Sequence, residues 1–227
     1  PPPEDLFPQV ERCVSILSEL GVPTLGVEGF EADDVIATLV RRLRHERPDL
    51  RVRIVSKDKD LKQLLESGKV ELFDIHNDDA ITEETLMGEL GITPAQVREM
   101  LTLMGDAVDN VPGVVGVGEK TAAALVKEFG SVDGVIAAAD TIKGKRGENI
   151  RAWIPRSDVT KKLIALREDV PLEFSLEHAR ADRLHLERLI PLCKTLGFNR
   201  FQDEVRSLIG GPPADDAPMP AAATENK

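Results

Sequence analysis

The sequence predicts an α/β fold with a mostly parallel sheet, followed by a region that is entirely helical. Up to residue 79, short apolar segments typical of strands alternate with segments in which apolar residues recur every three or four positions. Beyond residue 79, the helical spacing continues as far as Leu208. Strands that alternate with helices are typical of a parallel sheet covered by helices, and the later segments predict a helical module.

Helices are predicted at three places in the first part. Residues 4–20 carry apolar side chains at helical spacing, and Gly21 ends this segment. Residues 31–45 form the second helix, and a shorter third helix covers residues 59–66. The side chains that the second helix turns inward are Val35, Ile36, Leu39, Val40 and Leu43.

Strands are predicted between these helices. Residues 23–27 form a short apolar segment, and residues 51–56 alternate so that Val52 and Ile54 share one face. A further strand is predicted at residues 69–75. These strands would form the parallel sheet.

The helical region begins with clear capping chemistry. Thr93 is the predicted N-cap, followed by Pro94 and by Gln96, which completes a capping box. Another helix covers residues 122–129 and ends at Gly130. The remaining segments also have helical spacing.

The predicted domains are residues 1–91, residues 92–209 and a tail at 210–227. The tail is rich in Pro, Ala and Asp, which is typical of a disordered segment or a linker. Within the helical domain, residues 170–174 are predicted to be extended.

Composition narrows the class of protein. The 227 residues are 41% hydrophobic, which is enough for a globular core. The two cysteines, Cys13 and Cys193, provide no disulfide framework, so a reducing cytoplasm is expected. No apolar run approaches a membrane span and nothing resembles a signal peptide, so no membrane partner is expected.

Charge is unevenly distributed. The net charge of −11 argues against a generic nucleic-acid binder. Residues 143–167, however, carry eight basic and two acidic side chains, a local charge of +6. Such a surface can follow a phosphate backbone, although a solvated helical face explains it as well.

The segment from Met104 to Thr121 combines acids with glycines. Asp106 and Asp109 stand three apart, so that in a helical turn they would share a face. Further along, Gly116 and Gly118 leave the backbone open just before a helix, whose N-terminal N–H groups can receive a phosphate. Lys120 adds a positive charge there. The segment therefore predicts an acidic pair directly before a phosphate-binding turn.

Two other interpretations of this segment compete with the phosphate-binding turn. The first is a nucleotide P-loop, whose pattern the segment misses by one residue. A nucleotide P-loop requires lysine directly after its second glycine, but Glu119 follows Gly118. The second alternative is an ordinary glycine-rich connection between helices with solvated charges.

Acidic residues occur in three groups, two of which directly follow predicted strands. In an open α/β sheet, sites form beyond the carboxyl ends of the strands. Clustered carboxylates repel each other unless hard cations neutralise them, and oxygen ligands suit Mg²⁺ or Mn²⁺. Two such ions, roughly 3.5–4 Å apart, hydrolyse phosphodiesters. Each group alone is equally explained as a helix cap or as a favourable partner of a helix dipole. The acidic residues are Glu31, Asp33, Asp34, Asp58, Asp60, Asp106 and Asp109.

Several motifs closely resemble the 5′-nuclease domain of bacterial DNA polymerases I, which belongs to the flap endonuclease family. The resemblance covers residues 1 to about 208. It is most specific in the segment from Met104 to Thr121. The other motifs are Glu31-Ala32-Asp33-Asp34, Ser56-Lys57-Asp58-Lys59-Asp60, Ile142-Lys143-Gly144 and Asp169-Val170-Pro171.

This resemblance implies a PIN-like sheet and then a helix-three-turn-helix (helix-hairpin-helix type) module that grips duplex DNA, with a K⁺ ion in the module. It implies that all seven acidic residues form a site for two Mg²⁺ or Mn²⁺ ions, with Asp33 acting through water. Lys57 departs from the family's pattern, in which a small or neutral residue is common at this position, and we expect it to point outward. The DNA-contact positions implied are Gly113, Gly116, Gly118, Lys120, Thr121, Lys143 and Lys145.

The implied substrate is duplex DNA with a 5′ flap or a nick, cleaved 5′ to 3′ during primer removal and repair. The implied partner is a polymerase domain after Lys227, in a monomer associated with the bacterial nucleoid. The family domain starts before Pro1, so we expect this chain to lack its N-terminal part, including a strand and two carboxylates, and to cleave weakly or not at all. The alternative is a noncatalytic module that binds branched DNA.

Overall fold

The computed structural model describes residues 3–210, so the predicted tail lies almost entirely outside the described residues. Within this range the α-helices are numbered α1 to α10 and the strands β1 to β3. In chain order they are α1 (Leu6–Glu19), α2 (Ala32–Glu46), β1 (Val52–Val55), β2 (Val70–Asp74), β3 (Asp79–Ile81), α3 (Glu83–Leu90), α4 (Pro94–Met104), α5 (Glu119–Phe129), α6 (Val132–Ala137), α7 (Gly144–Trp153), α8 (Ser157–Ile164), α9 (Leu189–Thr195) and α10 (Asn199–Leu208). Short 3₁₀ helices occur at Asp60–Leu64, Ile154–Arg156, Ala181–Arg183 and Leu186–Arg188.

The sheet has the order β1-β2-β3. β1 and β2 are parallel, with Val52 opposite Val70, which confirms the predicted parallel pair. β3 is antiparallel to β2, with Leu72 opposite Ile81, so the sheet is mixed. β3 was not predicted because a three-residue strand is too short to show a period.

Two sequence predictions are wrong in detail. Residues 23–27 form no strand, because the described residues give them no strand to pair with. The predicted helix at 59–66 is a 3₁₀ helix, since the side chain of Asp58 accepts the N–H of Asp60 at 2.9 Å and sets a tight turn. The segment at 170–174, predicted to be extended, belongs to a longer stretch from 165 to 180 that contains no helix or strand.

One hydrophobic core runs through the compact unit Gly26–Leu172. Leu61 of the 3₁₀ helix and Leu72 of β2 are fully buried beside Met100 and Leu101 of α4. Burial of each such side chain stabilises the fold by about 1.5–3 kcal/mol. This shared core brings the residue after α4 towards the loop after β1. The domain boundary predicted after residue 91 falls inside this unit, and it stays a prediction.

The second compact unit contains the described residues up to Leu25 and from Glu173 onward. In it, the carbonyl of Leu20 accepts the N–H of His185 at 2.9 Å, and the carbonyl of Glu19 accepts from Arg188 at 2.8 Å. These bonds hold the end of α1 against the segment before α9.

Gly113 has a packing role that the sequence did not reveal. A β-carbon at this position would overlap the main-chain carbonyl of Met104, at the point where the chain folds back on the end of α4. We expect Gly113→Ala to lower the free energy of unfolding by about 2 kcal/mol or more, because the backbone must shift. Urea unfolding measures this loss. Gly118→Ala is the control, since a β-carbon there meets no heavy atom within 4 Å. Equal stability of the two variants would refute the packing role.

Candidate active site

The three acidic groups converge at the ends of β1, α4 and the start of α2. Asp33 shows this convergence most directly. Partial burial is the largest cause that raises its pKa, and the carboxylates of Asp58, Glu31, Asp34 and Asp109 raise it further. Carboxylates from all three groups therefore lie close enough to disfavour each other's charge.

Asp60 is the most perturbed member of the cluster. Its pKa is raised to about 6, first by burial and then by Asp58, with smaller contributions from Asp106 and Asp33, while Lys59 lowers it. Its Oδ1 atom is buried and has no hydrogen-bond partner among the described residues. Because buried polar atoms are normally paired, this oxygen is available to a cation.

Asp106 lies in a turn rather than in the helical turn that the sequence predicted. Gly105 ends α4, and Asp106 and Val111 exchange two main-chain hydrogen bonds of 3.0 and 2.7 Å. Between them, Oδ1 of Asp106 accepts the N–H groups of Val108 at 2.7 Å and Asp109 at 3.3 Å. The three-residue spacing thus reflects an Asx turn.

Lys59 reaches into the acidic cluster, a contact that sequence reasoning missed. Its Nζ atom lies 2.7 Å from Oδ2 of Asp106. This hydrogen bond is the main reason that the pKa of Lys59 is raised and that of Asp106 is lowered. The signal available in the sequence was a lysine flanked by Asp58 and Asp60. Lys57 instead pairs with Asp74 at 3.1 Å.

Asp34 serves a structural purpose in the described residues. Its Oδ1 accepts the N–H of Arg167 at 2.8 Å, and its Oδ2 accepts the N–H of Glu31 at 3.4 Å. It therefore ties the start of α2 to the segment after α8. A metal-binding role for Asp34 stays a prediction.

The donor set suits a hard divalent cation. Among residues 3–210, no three His, Cys, Asp or Glu side chains are arranged as a ready-made metal site. The unpaired Oδ1 of Asp60 and the raised pKa values of Asp33 and Asp60 nevertheless indicate negative charge that Lys59 balances only in part. Oxygen ligands of this kind fit Mg²⁺ or Mn²⁺.

The predicted phosphate-binding turn leads into α5. Gly116 has a φ of +76°, and Gly118 is the N-cap of α5. A β-carbon at either position would meet no heavy atom within 4 Å, so the backbone is open to a ligand. Lys120 is exposed and Thr121 is half-buried in the first turn of α5. The N–H groups of this helix end and Lys120 together favour an anion.

Helices α7 and α8 hold the loop between the acids and this turn. The carbonyl of Pro112 accepts from the indole of Trp153 and from the hydroxyl of Thr160, both at 2.8 Å. Asn149 of α7 donates to the carbonyl of Val115 at 2.8 Å. Sequence reasoning gave these three residues no role. They fix the loop at two points.

The two remaining predicted DNA contacts lie at the start of α7. Lys143 is its exposed N-cap residue, and Lys145 is exposed and paired with Glu148 at 3.1 Å. Because Asn149 bonds the loop before α5, the start of α7 lies on the side of the module that carries the glycine turn.

Comparison with known sequences decides the family. The model of the 5′-3′ exonuclease N-terminal resolvase-like domain matches residues 1–91, and that of the 5′-3′ exonuclease C-terminal SAM fold matches residues 92–187. The chain belongs to the 5′-3′ exonuclease family. The resolvase-like and SAM folds agree with the α/β part and the helical part described above.

Curated members of the family include DNA polymerases I. The chain is 36% identical over 212 residues to DNA polymerase I of Bacillus caldotenax, covering 90% of the chain and 24% of that protein. It is 36% identical over 221 residues to the thermostable DNA polymerase I of Thermus thermophilus, covering 97% of the chain and 26% of that protein. The chain thus spans about a quarter of the length of these relatives.

Solved structures similar to this chain include two from bacteriophage T5. A T5 flap endonuclease complex with DNA and metal ions aligns with a TM-score of 0.63 at 25% identity, covering 72% of this chain and 59% of that one. T5 5′-exonuclease with bound zinc aligns with a TM-score of 0.61 at 25% identity, covering 73% and 63%. The catalytic core of Rad2 shares the fold, with a TM-score of 0.52 at 17% identity and coverage of 90% and 70%.

No helix within the described residues is both long and apolar enough to cross a membrane.

Proposed function

We propose that this chain is the nuclease part of a DNA polymerase I, a structure-specific 5′-3′ exonuclease and flap endonuclease. The observation that carries the proposal is the unpaired buried oxygen of Asp60, within an acidic cluster joined by one short loop to an open helix N-terminus. Two divalent ions held by such a cluster would activate water and stabilise charge on the attacked phosphate.

The residues of the chain divide into a group that would bind the metal ions and a group that would bind the DNA. Glu31, Asp33, Asp34, Asp58, Asp60, Asp106 and Asp109 would hold the ions, with Asp33 acting through water. The turn from Gly113 to Thr121 would receive a phosphate of the duplex, with Lys120 adding its charge. Lys143 and Lys145 would follow the same strand. Since Trp153 and Thr160 fix the loop between the groups, the bound phosphate would hold the DNA at a constant distance from the acids.

The similar proteins support the further domain, the metal ions and the DNA with which the chain would act. Because they are DNA polymerases I and much longer than the chain, we infer a polymerase domain that follows residues 210–227. The metal-bound and DNA-bound T5 proteins support divalent ions and DNA as ligands. Branched or nicked DNA as the substrate stays a prediction. Several finer points stay predictions. They are Mg²⁺ as the bound ion, a pair of such ions, a K⁺ ion in the helical module and a monomeric state. Action on the bacterial nucleoid in the cytoplasm and a role in primer removal and repair also stay predictions.

The test uses end-labelled DNA substrates and the protein at its natural length. We expect cleavage of a 5′-flap duplex near the branch point in Mg²⁺ or Mn²⁺, with no cleavage in EDTA and much slower cleavage of a blunt duplex without a flap. Binding of the flap duplex without cleavage in either metal would favour the alternative, a noncatalytic module that recognises branched DNA. Absence of both binding and cleavage would contradict either function.

A further inference from the structure

A lysine forms an ion pair with one member of the acidic cluster. Lys59 projects from the loop after β1, and its Nζ atom lies 2.7 Å from Oδ2 of Asp106, across the gap between two loops. The side chain of Asp106 is only 10% exposed and that of Lys59 is 37% exposed, so the carboxylate end of this ion pair is shielded from water. Shielding strengthens the attraction between the two charges.

The other oxygen of Asp106 is already engaged. Oδ1 accepts the N–H groups of Val108 at 2.7 Å and Asp109 at 3.3 Å. Lys59 therefore holds the one oxygen of Asp106 that the turn leaves open. A cation that approaches this oxygen meets the ammonium group of Lys59, and the two positive charges would repel each other across a few ångströms.

We propose that Lys59 is a built-in counterion of the metal-free site, which must leave Asp106 before a divalent cation can bind there. This inference rests on the proposed function, because it takes the acidic cluster to be a metal site. Lys59 lowers the repulsion among the carboxylates when no metal is present, and it competes with the metal for Asp106. The lysine thereby stabilises the empty site and weakens its affinity for cations.

The sequence offers a matched control two residues away. Lys57 has the same charge, but its Nζ atom lies 3.1 Å from Oδ2 of Asp74, outside the acidic cluster. Lys57→Met and Lys59→Met change the net charge equally. Any difference between these variants therefore reports the specific contact with Asp106 rather than the overall charge.

The experiment measures Mn²⁺ binding by electron paramagnetic resonance, in the absence of DNA, for the parent and the two Met variants. We expect Lys59→Met to bind Mn²⁺ about 10-fold more tightly than Lys57→Met, because the metal no longer displaces an ion pair. Lys59→Arg keeps the charge and should bind like the parent. In EDTA, Lys59→Met should unfold at a lower temperature than Lys57→Met, and Mn²⁺ should remove that difference.

Each other outcome has a defined meaning. If Lys59→Met binds Mn²⁺ no more tightly than Lys57→Met, the counterion role is wrong, while the proposed nuclease site stands. If neither the parent nor Lys59→Met binds Mn²⁺, both the metal site and this inference fail. If Lys59→Met is unfolded without metal but folds with Mn²⁺, the inference is supported. If Lys59→Met is unfolded both with and without Mn²⁺, Lys59→Gln is measured in its place. A Mn²⁺ affinity of Lys59→Gln equal to that of Lys59→Arg would overturn the inference.

Discussion

In the protein at its natural length, Asp60→Asn is expected to lower the rate of flap cleavage in Mg²⁺ by about 100-fold or more, because it removes negative charge at the buried oxygen best placed to bind a cation. The measurement is single-turnover cleavage at saturating DNA, which separates chemistry from binding. Asp79→Asn is the control, since Asp79 is exposed at the start of β3. If both variants cleave at the rate of the parent, Asp60 belongs to the turn after β1 but does not bind a metal ion.

The same variant should be more stable than the parent when no metal is present. The pKa of Asp60 is raised from 3.8 to about 6 in the folded protein. A folded pKa above the unfolded value means that the folded state binds the proton more tightly, so stability falls as the pH rises from about 4 to 6. At pH 7 ionised Asp60 therefore destabilises the fold, by on the order of 1 kcal/mol once solvent screening of a partly buried group is allowed for.

Urea unfolding in EDTA at pH 4.5 and 7.5 measures this effect. The parent should lose more stability between these pH values than Asp60→Asn, and the variant should be the more stable protein at pH 7.5. A variant that is less stable at both pH values would show that the ionised carboxylate supports the turn instead of opposing the charge of its neighbours.

Local chemistry explains which elements could be predicted from the sequence. The start of α4 follows from Thr93, Pro94 and Gln96, and the structure shows the bond from Thr93 N–H to Gln96 Oε1 at 3.0 Å. The end of α5 follows from Gly130, which has a φ of +82°. Strands depend on partners that are remote in sequence, and for that reason the segment at 23–27 was predicted as a strand wrongly.

Two of the three acidic groups could be predicted because one opens α2 and the other follows β1, whereas Asp106 and Asp109 lie in the turn after α4. The groups that hold the cluster in place could not, because their partners are distant in sequence. Asp34 bonds the N–H of Arg167, and Trp153 bonds the carbonyl of Pro112. Neither pair has a spacing that a periodic pattern could reveal.

In the protein at its natural length, Asp106→Asn combined with Asp109→Asn should abolish cleavage in Mg²⁺ while DNA binding in Ca²⁺ persists or tightens. Cleavage falls because metal ligands are lost, and binding persists because two negative charges near the phosphates are removed. The amide oxygen of Asn can still accept the N–H of Val108, so the turn should keep its shape. Fluorescence anisotropy with a flap duplex and a parallel cleavage assay measure both properties.

Lys120→Ala provides the opposite variant, because Lys120 lies exposed at the start of α5, beyond the open glycine turn. It should weaken binding about equally for all DNA sequences and reduce the slope of log affinity against log salt by roughly 1. Lys127→Ala, in the last turn of the same helix, should leave that slope unchanged. An unchanged slope for Lys120→Ala would remove the phosphate contact from the proposal. If the double Asp variant instead loses DNA binding but still cleaves the DNA that it binds, the two aspartates contribute to DNA binding. Their assignment to catalysis is then wrong.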